Sequence, residues 1–316
     1  MIKSKLKIAF FGSGGIAIPA LEFLIKEKYN IVCVVTAQDA QKGRHLLASA
    51  TPVKDIALKH NLNVFQPQKI SSEDARNYLK GLESDIFIVF SFGKILPKEI
   101  LGIPKKYPLN IHASLLPKYR GAAPINWALI NGEKKTGITI IRMNEKMDSG
   151  DIVLKNELNI SSDDNAVTLD DKLAKLAPKA LKEVLVSIEN GTISFSRQNE
   201  NEVSFAPKLK KEDAKISWDK PAQDIINQIR GLFSWPGTFT LYKGKVLKIW
   251  NAGIVNIISK EKHHPGTIID FDKDGIIVAY KPGFVLIKEL QLESGKKTSA
   301  WNFIQGHKIG KGEKFE

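Results

Sequence analysis

Short apolar runs alternate with longer amphipathic segments over roughly the first 190 residues of the chain. The runs are rich in β-branched residues and predict strands, and apolar positions three or four apart between them predict helices. Strands that alternate with helices favour an α/β domain built on a mainly parallel sheet. The strands are predicted at 6–12, 31–36, 85–92, 109–112 and 137–143, and the helices at 15–28, 52–60, 72–81 and 165–189. We expect Pro178 to kink or divide the last helix.

The pattern changes after Gly191. A polar stretch is followed by one short helical segment, 222–231, and then by five β-type runs separated by turns that contain glycine. Such a series of short strands is typical of a small β-barrel, and an OB-like barrel is one possibility. We therefore predict a first domain over 1–191, a linker over 192–208 and a barrel domain over 209–316.

Composition fits a two-domain globular protein. The chain has 316 residues, of which 43% are hydrophobic and 26% are charged. We find neither an apolar run long enough for a membrane helix nor a cleavable signal pattern, so we expect a cytoplasmic protein. Because Cys33 is the single cysteine, we expect no intrachain disulfide and no thiolate metal cluster. The net charge of +13 suggests an anionic partner, although a lysine-rich composition explains it equally well.

A glycine-rich turn follows the first predicted strand. Residues 12–17 fit the pattern G-x-G-x-x-A, which can place a helix N-terminus against a dinucleotide pyrophosphate. That reading requires an acidic residue at the end of the second strand, and Asp39 comes a few residues too late. A tight turn between a strand and a helix is the simpler interpretation.

Three polar side chains near predicted strand ends carry the chemistry. Asn110 and His112 are two residues apart, so they share one face of a strand. Asp148 follows the run 137–143, which we expect to neighbour that strand in a parallel sheet. An amide that donates hydrogen bonds, an imidazole that moves protons and a carboxylate would then meet at one sheet edge. This combination predicts an acyl-transfer centre without a covalent nucleophile.

The residues around these three resemble the folate-dependent formyltransferases. The resemblance is carried by the segment Asn110–Ile125 and by Gly137–Asp151, with support from Ser91–Pro97, Phe205–Leu209 and Asn227–Gly237. It extends over about residues 5 to 305. It implies a Rossmann-like first domain that binds 10-formyltetrahydrofolate and an OB-like second domain that contacts tRNA. The implied acceptor is initiator methionyl-tRNA, and neither a metal nor an obligate protein partner is implied.

The resemblance also implies roles for individual residues. Asn110, His112 and Asp148 fall on the catalytic positions of the family. The implied folate contacts are Phe92, Gly93, Ser114, Leu115, Leu116 and Pro117. The implied tRNA contacts are Arg44, Lys208, Lys210 and Lys211, of which Arg44 lies in an inserted loop over 37–51 that is less basic here than is usual in the family.

The amine of an aminoacyl ester is largely neutral at cellular pH, so transfer needs oxyanion stabilisation and proton movement more than it needs a strong base. We expect Asn110 to bind the oxyanion, His112 to donate to it or move the proton, and Asp148 to orient His112. Three alternatives stay open at this point. They are a sugar-nucleotide N-formyltransferase with the same donor, an NAD-dependent oxidoreductase based on residues 12–17, and an RNA-binding protein without catalytic activity.

Overall fold

The computed structural model describes residues 5–42, 47–255, 262–281 and 283–316. It divides into two compact units. The first contains the described residues up to Pro124 together with Lys135–Asn159 and Asp170–Pro207, and the second contains Ile125–Lys134, Ile160–Leu169 and Lys208–Glu316. No helix in the described residues is long and apolar enough to cross a membrane.

A seven-stranded sheet forms the centre of the first unit. The strands of this unit are β1 (Lys7–Gly12), β2 (Asn30–Val35), β3 (Ala40–Lys42), β4 (Leu47–Ser49), β5 (Val64–Phe65), β6 (Ile86–Phe90), β7 (Tyr107–His112), β8 (Arg120–Gly121), β9 (Lys135–Arg142), β10 (Asp151–Asn159) and β11 (Phe205–Ala206). The order in the large sheet is β10-β9-β7-β6-β1-β2-β5. Every residue of β6 is buried, as expected for a strand covered on both faces, and its apolar run in the sequence reflects this.

The sheet is mainly parallel, and this confirms the predicted fold class. Strands β5, β2, β1, β6 and β7 pair in parallel, whereas β9 is antiparallel both to β7 and to β10. The expectation that 137–143 neighbours the Asn110 strand is correct, but its parallel direction is wrong. Apolar periodicity marks a buried strand without giving its direction, and the chain between β7 and β9 returns without a full crossover.

The helices are α1 (Ile18–Lys26), α2 (Pro52–Lys59), α3 (Glu73–Gly81), α4 (Lys98–Leu101), α5 (Pro124–Ile130), α6 (Ala166–Glu189), α7 (Ala222–Gly231) and α8 (Ala300–His307). Side chains of Thr51 and Ser72 cap α2 and α3 by accepting hydrogen bonds from backbone amides.

Pro178 lies inside α6, which continues through it as one helix, so the predicted division does not occur. Leu173, Ala177 and Leu181 are fully or almost fully buried on both sides of the proline, and this packing outweighs its lost hydrogen bond.

Residues 192–208, predicted as a linker, make specific contacts within the first unit as far as Pro207. Ser196 forms an antiparallel bridge with Ile152, and β11 pairs in parallel with β8. The domain boundaries that we predicted from the sequence remain a prediction.

An antiparallel sheet forms the second unit. Its strands are β12 (Phe239–Tyr242), β13 (Lys245–Val255), β14 (Ile268–Asp272), β15 (Gly275–Tyr280), β16 (Gly283–Leu292) and β17 (Thr298–Ser299). The order is β12-β13-β16-β15-β14, with β17 added beside β16. Fully buried side chains from these strands and from α7 and α8 form its core, among them Ile225, Leu247, Ile276 and Ile287.

The last residues of the chain join the two edge strands of this sheet. Phe315 bridges to Tyr242 of β12, and Lys314 bridges to Thr267, which precedes β14. Leu241 and Glu316 exchange backbone hydrogen bonds of 2.9 Å in both directions, and the amide of Phe315 donates to the carbonyl of Gly266 at 2.8 Å. The segment 313–316 therefore closes the sheet in the manner of the predicted barrel.

Candidate active site

The structure brings the three predicted catalytic side chains together. Asn110 and His112 lie on the same face of β7, at its carboxyl end, where open α/β sheets place their ligands. The Asn110 amide nitrogen, Nδ2, donates to Oδ1 of Asp148 at 3.3 Å. The distance from His112 Nδ1 to Asp148 Oδ2 is 3.6 Å. Because β9 runs antiparallel to β7, the turn after β9 returns the chain and delivers Asp148 to this edge.

The backbone in the turn that carries Asp148 has an unusual conformation. Asp148 has φ of +50°, a left-handed conformation that few residues other than glycine adopt. A Cβ atom at Gly150 would collide with the carbonyl of Arg142, so this position of the turn requires glycine. The Asn144 carboxamide oxygen accepts from the amide of Lys146 and from the hydroxyl of Ser149, both at 3.0 Å, and holds the exposed side of the turn.

A backbone amide anchors the carboxylate of Asp148. Gly121 donates from its N–H to Oδ2 at 2.8 Å. Gly121 has φ of +130°, and a Cβ atom there would lie 2.5 Å from the carbonyl oxygen of Ala206. Only glycine therefore allows this amide to reach Asp148, and sequence reasoning did not assign Gly121 a role. A glycine at the end of a proline-containing loop was the available signal.

His112 is oriented by a backbone carbonyl that no sequence pattern reveals. Its ring is buried, and Nε2 lies 2.9 Å from the carbonyl oxygen of Tyr119. A carbonyl oxygen can only accept, so Nε2 carries a hydrogen and donates it. The nitrogen that faces Asp148 and is able to exchange a proton with a bound substrate is therefore Nδ1.

The side chain of Asn110 has one unused hydrogen-bond donor. Its side chain carries two N–H bonds on Nδ2. Within the described part of the chain, the only hydrogen-bond partner of this side chain is Asp148. The second N–H is thus available to an oxygen atom that develops negative charge.

The residues predicted to contact folate differ in how deeply they are buried. Ser114 and Leu116 are fully buried. The Ser114 hydroxyl donates to the carbonyl of Lys118 at 2.6 Å, and the amide of Leu116 donates to the hydroxyl of Thr139 at 3.1 Å. These internal hydrogen bonds fix the shape of the loop 114–117, from which Leu115 is partly exposed.

Phe92 and Gly93 lie after β6, next to β7. Phe92 packs edge-on against Phe11 in the apolar core. Gly93 is exposed with φ of +76°, and a Cβ atom there would meet nothing within 4 Å. The backbone of Gly93 therefore has open space beside it. Folate contact by these residues remains a prediction.

The predicted tRNA contacts fall into two groups. Lys208, Lys210 and Lys211 are exposed at the start of the last segment of the second unit, where the buried side chain of Leu209 anchors them. Arg44 lies outside the described residues.

Two backbone amides of the glycine-rich turn are occupied. Ser13 and Gly14 both donate from their backbone N–H groups to the carbonyl of Ser91, at 3.1 and 3.2 Å. A dinucleotide pyrophosphate needs such amides free. The turn instead joins β1 to the loop after β6, as the simpler interpretation of residues 12–17 expects.

Covalent catalysis by the thiol has no support. Burial raises the pKa of the Cys33 thiol to about 11, so it remains protonated at neutral pH. In the described residues, no three histidine, cysteine, aspartate or glutamate side chains converge in a way that could hold a metal ion.

Two family models match the chain and define its class. The model described as formyl transferase matches residues 6–185, and the model described as formyl transferase, C-terminal domain, matches residues 208–308. The chain is 44% identical to methionyl-tRNA formyltransferase of Acetivibrio thermocellus over 310 residues. The alignment covers 98% of this chain and 99% of that protein. It is 42% identical over 307 residues to methionyl-tRNA formyltransferase of Clostridioides difficile, with 97% and 99% covered. The chain therefore belongs to the methionyl-tRNA formyltransferase family.

Solved structures with much lower identity share the fold. WlaRD, a sugar 3N-formyl transferase crystallised with dTDP and 5-N-formyl-THF, superposes with a TM-score of 0.67 at 22% identity, over 93% of this chain and 100% of that one. HypX from Aquifex aeolicus, crystallised with tetrahydrofolic acid, gives a TM-score of 0.64 at 17% identity. This chain spans 49% of the length of HypX. At such identities the likeness concerns the fold alone.

Proposed function

We propose that the chain transfers the formyl group of 10-formyltetrahydrofolate to the α-amino group of methionine on initiator methionyl-tRNA. The observation that carries the proposal is the meeting of Asn110, His112 and Asp148 at one sheet edge, in a chain 44% identical over nearly its full length to a methionyl-tRNA formyltransferase. The same substrates imply a cytoplasmic reaction, because charged tRNA is found there.

The reaction forms one bond and breaks another. The nitrogen of the α-amine attacks the formyl carbon, whose oxygen becomes an oxyanion in a tetrahedral intermediate. The attacking nitrogen then loses a proton, N10 of the folate gains one, and the bond between the formyl carbon and N10 breaks. Every atom and charge is accounted for without a metal ion or an acyl-enzyme.

Each catalytic side chain has one task in this scheme. The free N–H of Asn110 donates to the oxyanion, and the loss of one such donor typically costs about 2.7–4 kcal/mol of transition-state stabilisation. His112 moves the proton through Nδ1, because Nε2 is engaged by the carbonyl of Tyr119. Asp148 lies beside Nδ1 and stabilises the positive charge that the ring carries during transfer.

We propose that the donor binds along the loop that follows β7 and beside Gly93, where the backbone has open space. Structures of related fold were crystallised with folates, which supports a folate as the donor here. We further propose that Lys208, Lys210 and Lys211 contact tRNA phosphates, since all three are exposed and lie close together in sequence.

The proposal is tested by incubating the protein with 10-formyltetrahydrofolate and, in separate reactions, charged initiator and elongator methionyl-tRNA. Formylmethionine released from the tRNA by alkaline hydrolysis is measured chromatographically. We expect formylation of the initiator tRNA, with the elongator tRNA a poorer acceptor. A third reaction contains a dTDP-linked amino sugar, because sugar formyltransferases share the fold. Formylation of the sugar and of neither tRNA would refute the proposal.

A further inference from the structure

We propose that Gln198 is a positioning residue for this reaction, and that it acts by holding the backbone carbonyls of Asp148 and Gly150. The inference rests on the proposed function of the site. Gln198 lies in the segment 196–206, here called the strap, which the sequence presents as polar linker. Its side chain is buried, with 9% of its surface exposed.

The carboxamide of Gln198 joins the Asp148 turn to a buried cation. Its nitrogen, Nε2, donates to the carbonyl oxygens of Asp148 and Gly150, at 2.7 and 2.8 Å. Its oxygen, Oε1, accepts from Nε and from one terminal nitrogen of Arg120, at 3.0 and 2.8 Å. Both donors and both acceptor sites of the amide are thereby used.

These partners require an amide at this position. A guanidinium offers only donors and a carbonyl oxygen only accepts, so the bridging group must accept at one end and donate at the other. A carboxylate at residue 198 would still bind Arg120 but would face the two carbonyl oxygens with lone pairs. Glutamate therefore keeps one half of the bridge and removes the other.

The Asp148 turn needs support from outside. Asp148 has a left-handed backbone conformation, which persists only where the surroundings enforce it. The hydrogen bonds from Gln198 fix the carbonyls of Asp148 and Gly150, and so hold the backbone of the turn from which the Asp148 side chain projects. Without them, the carboxylate would be free to leave Gly121, Asn110 and His112.

The strap also supports the opposite side of the site. The amide of Tyr119 donates to the hydroxyl of Ser204 at 2.9 Å, and the amide of Arg120 donates to the carbonyl of Ser204 at 2.9 Å. Ala206 pairs with Gly121 between β11 and β8. The same segment therefore places the carbonyl that orients His112 and the amide that anchors Asp148.

Glu200 completes the arrangement at the surface. Its carboxylate accepts from Arg120 at 2.8 and 3.2 Å, and this hydrogen bonding lowers its pKa. The largely exposed carboxylate of Glu200 thus balances the charge of the buried Arg120 guanidinium. The Gln198 oxygen therefore accepts hydrogen bonds from Arg120 without having to balance its charge.

The kinetic test compares Gln198→Glu and Gln198→Met with the wild-type protein. We expect kcat to fall roughly 10- to 100-fold in both variants, because a displacement of about 1 Å in a catalytic group can cost about 100-fold. The KM values for 10-formyltetrahydrofolate and for tRNA should change by less than about threefold, since the hydrogen bonds of the Gln198 carboxamide are all made within the protein. Gln228→Met is the matched control, because Gln228 is equally buried and donates to the backbone carbonyls of Asp213 and Lys215 in the second unit. It should lower stability without lowering kcat.

A double-mutant comparison identifies the route of the effect. If Gln198 acts through Asp148, then Gln198→Glu should cause no further loss of kcat in an Asp148→Asn background. An undiminished loss in that background would overturn the proposal, as would wild-type kcat in folded Gln198→Glu protein.

A readout that needs no tRNA separates this inference from the proposed function. The amide of Gly121 donates to Asp148, so its hydrogen exchange, followed by NMR after labelling with ¹⁵N-glycine, reports the position of the carboxylate. We expect exchange on the order of tenfold faster in Gln198→Glu and in Asp148→Asn. Unchanged exchange in Gln198→Glu would refute the positioning role, even if the wild-type protein proved inactive on methionyl-tRNA.

Discussion

Asp170 gives the chain a stability that depends on pH in an unusual direction. It lies near the start of α6, one turn before the fully buried side chain of Leu173. Burial, with a smaller contribution from the negative charge of Asp171, raises the pKa of the Asp170 carboxyl from 3.8 to about 6. The folded state therefore prefers the neutral acid at this position.

The sign of the effect follows from proton binding. Between pH 3.8 and about 6, the carboxyl of Asp170 is protonated more often in the folded chain than in the unfolded chain. Stability then falls as pH rises through this window and stays reduced above it. A shift of two pKa units corresponds to a ceiling of roughly 3 kcal/mol. Because the side chain is only partly buried, we expect about 2 kcal/mol.

The perturbation is Asp170→Asn, which keeps the shape of the side chain and removes the charge. We expect the variant to be about 2 kcal/mol more stable than wild type at pH 7.5 and equal to it near pH 3.5. The free energy of unfolding of the transition that includes α6 is measured by urea denaturation at several pH values. Asp171→Asn is the control, and its effect should be small because Asp171 is exposed. A stability difference that is absent at pH 7.5, or that grows as pH falls, would refute the reasoning.

Three further predictions concern the site and the second unit. His112→Ala should lower kcat about 10²- to 10⁴-fold and leave the affinity for 10-formyltetrahydrofolate, measured by calorimetry, nearly unchanged; loss of folate binding would make His112 structural. Replacing Lys208, Lys210 and Lys211 together by alanine should weaken tRNA binding and reduce the slope of log K against log salt by about 2 to 3, and an unchanged slope would remove these lysines from the interface. Phe315→Ala should destabilise the second unit by about 3–5 kcal/mol in thermal unfolding, because its fully buried ring packs against Trp218 and Tyr242; unfolding at the wild-type temperature would show that this ring does not stabilise the second unit.

The periodicity of apolar residues was sufficient to predict most helices and strands, because the burial of side chains produces that periodicity. Strand β6 is fully buried and β1 is buried except at Lys7, and both differ from their predictions by one or two residues at an end. Helix α7 has the predicted bounds. The same periodicity does not show the direction of a strand, and β9 is the clearest example. Its residues 136–141 are all buried, so the run looks the same whether it is parallel or antiparallel to β7.

The helix around Pro178 shows a different limit. Local chemistry predicts a break there, because proline removes one backbone hydrogen bond. Tertiary burial of the apolar face of α6 on both sides outweighs that loss. The sequence shows directly that a proline removes a backbone hydrogen bond. The packing that compensates for this loss depends on residues far away along the chain.

The side chains of the site were easier to predict than the groups that hold them. Asn110, His112 and Asp148 were visible because amide, imidazole and carboxylate are unusual together near strand ends. The carbonyl of Tyr119 and the amide of Gly121 belong to the backbone, which every residue has, and their role depends only on conformation.

The conformation of the loop after β7 also decides which nitrogen of His112 is available for the proposed proton transfer. From the sequence, either ring nitrogen was available. Tyr119 has φ of +64°, and its carbonyl oxygen accepts a hydrogen bond from Nε2. In the proposed mechanism, proton transfer is thereby confined to Nδ1, the nitrogen beside Asp148, which can accept the proton that the attacking nitrogen loses. The residues that fix the backbone at 119–121, in the strap, consequently belong to the mechanism as much as the imidazole does.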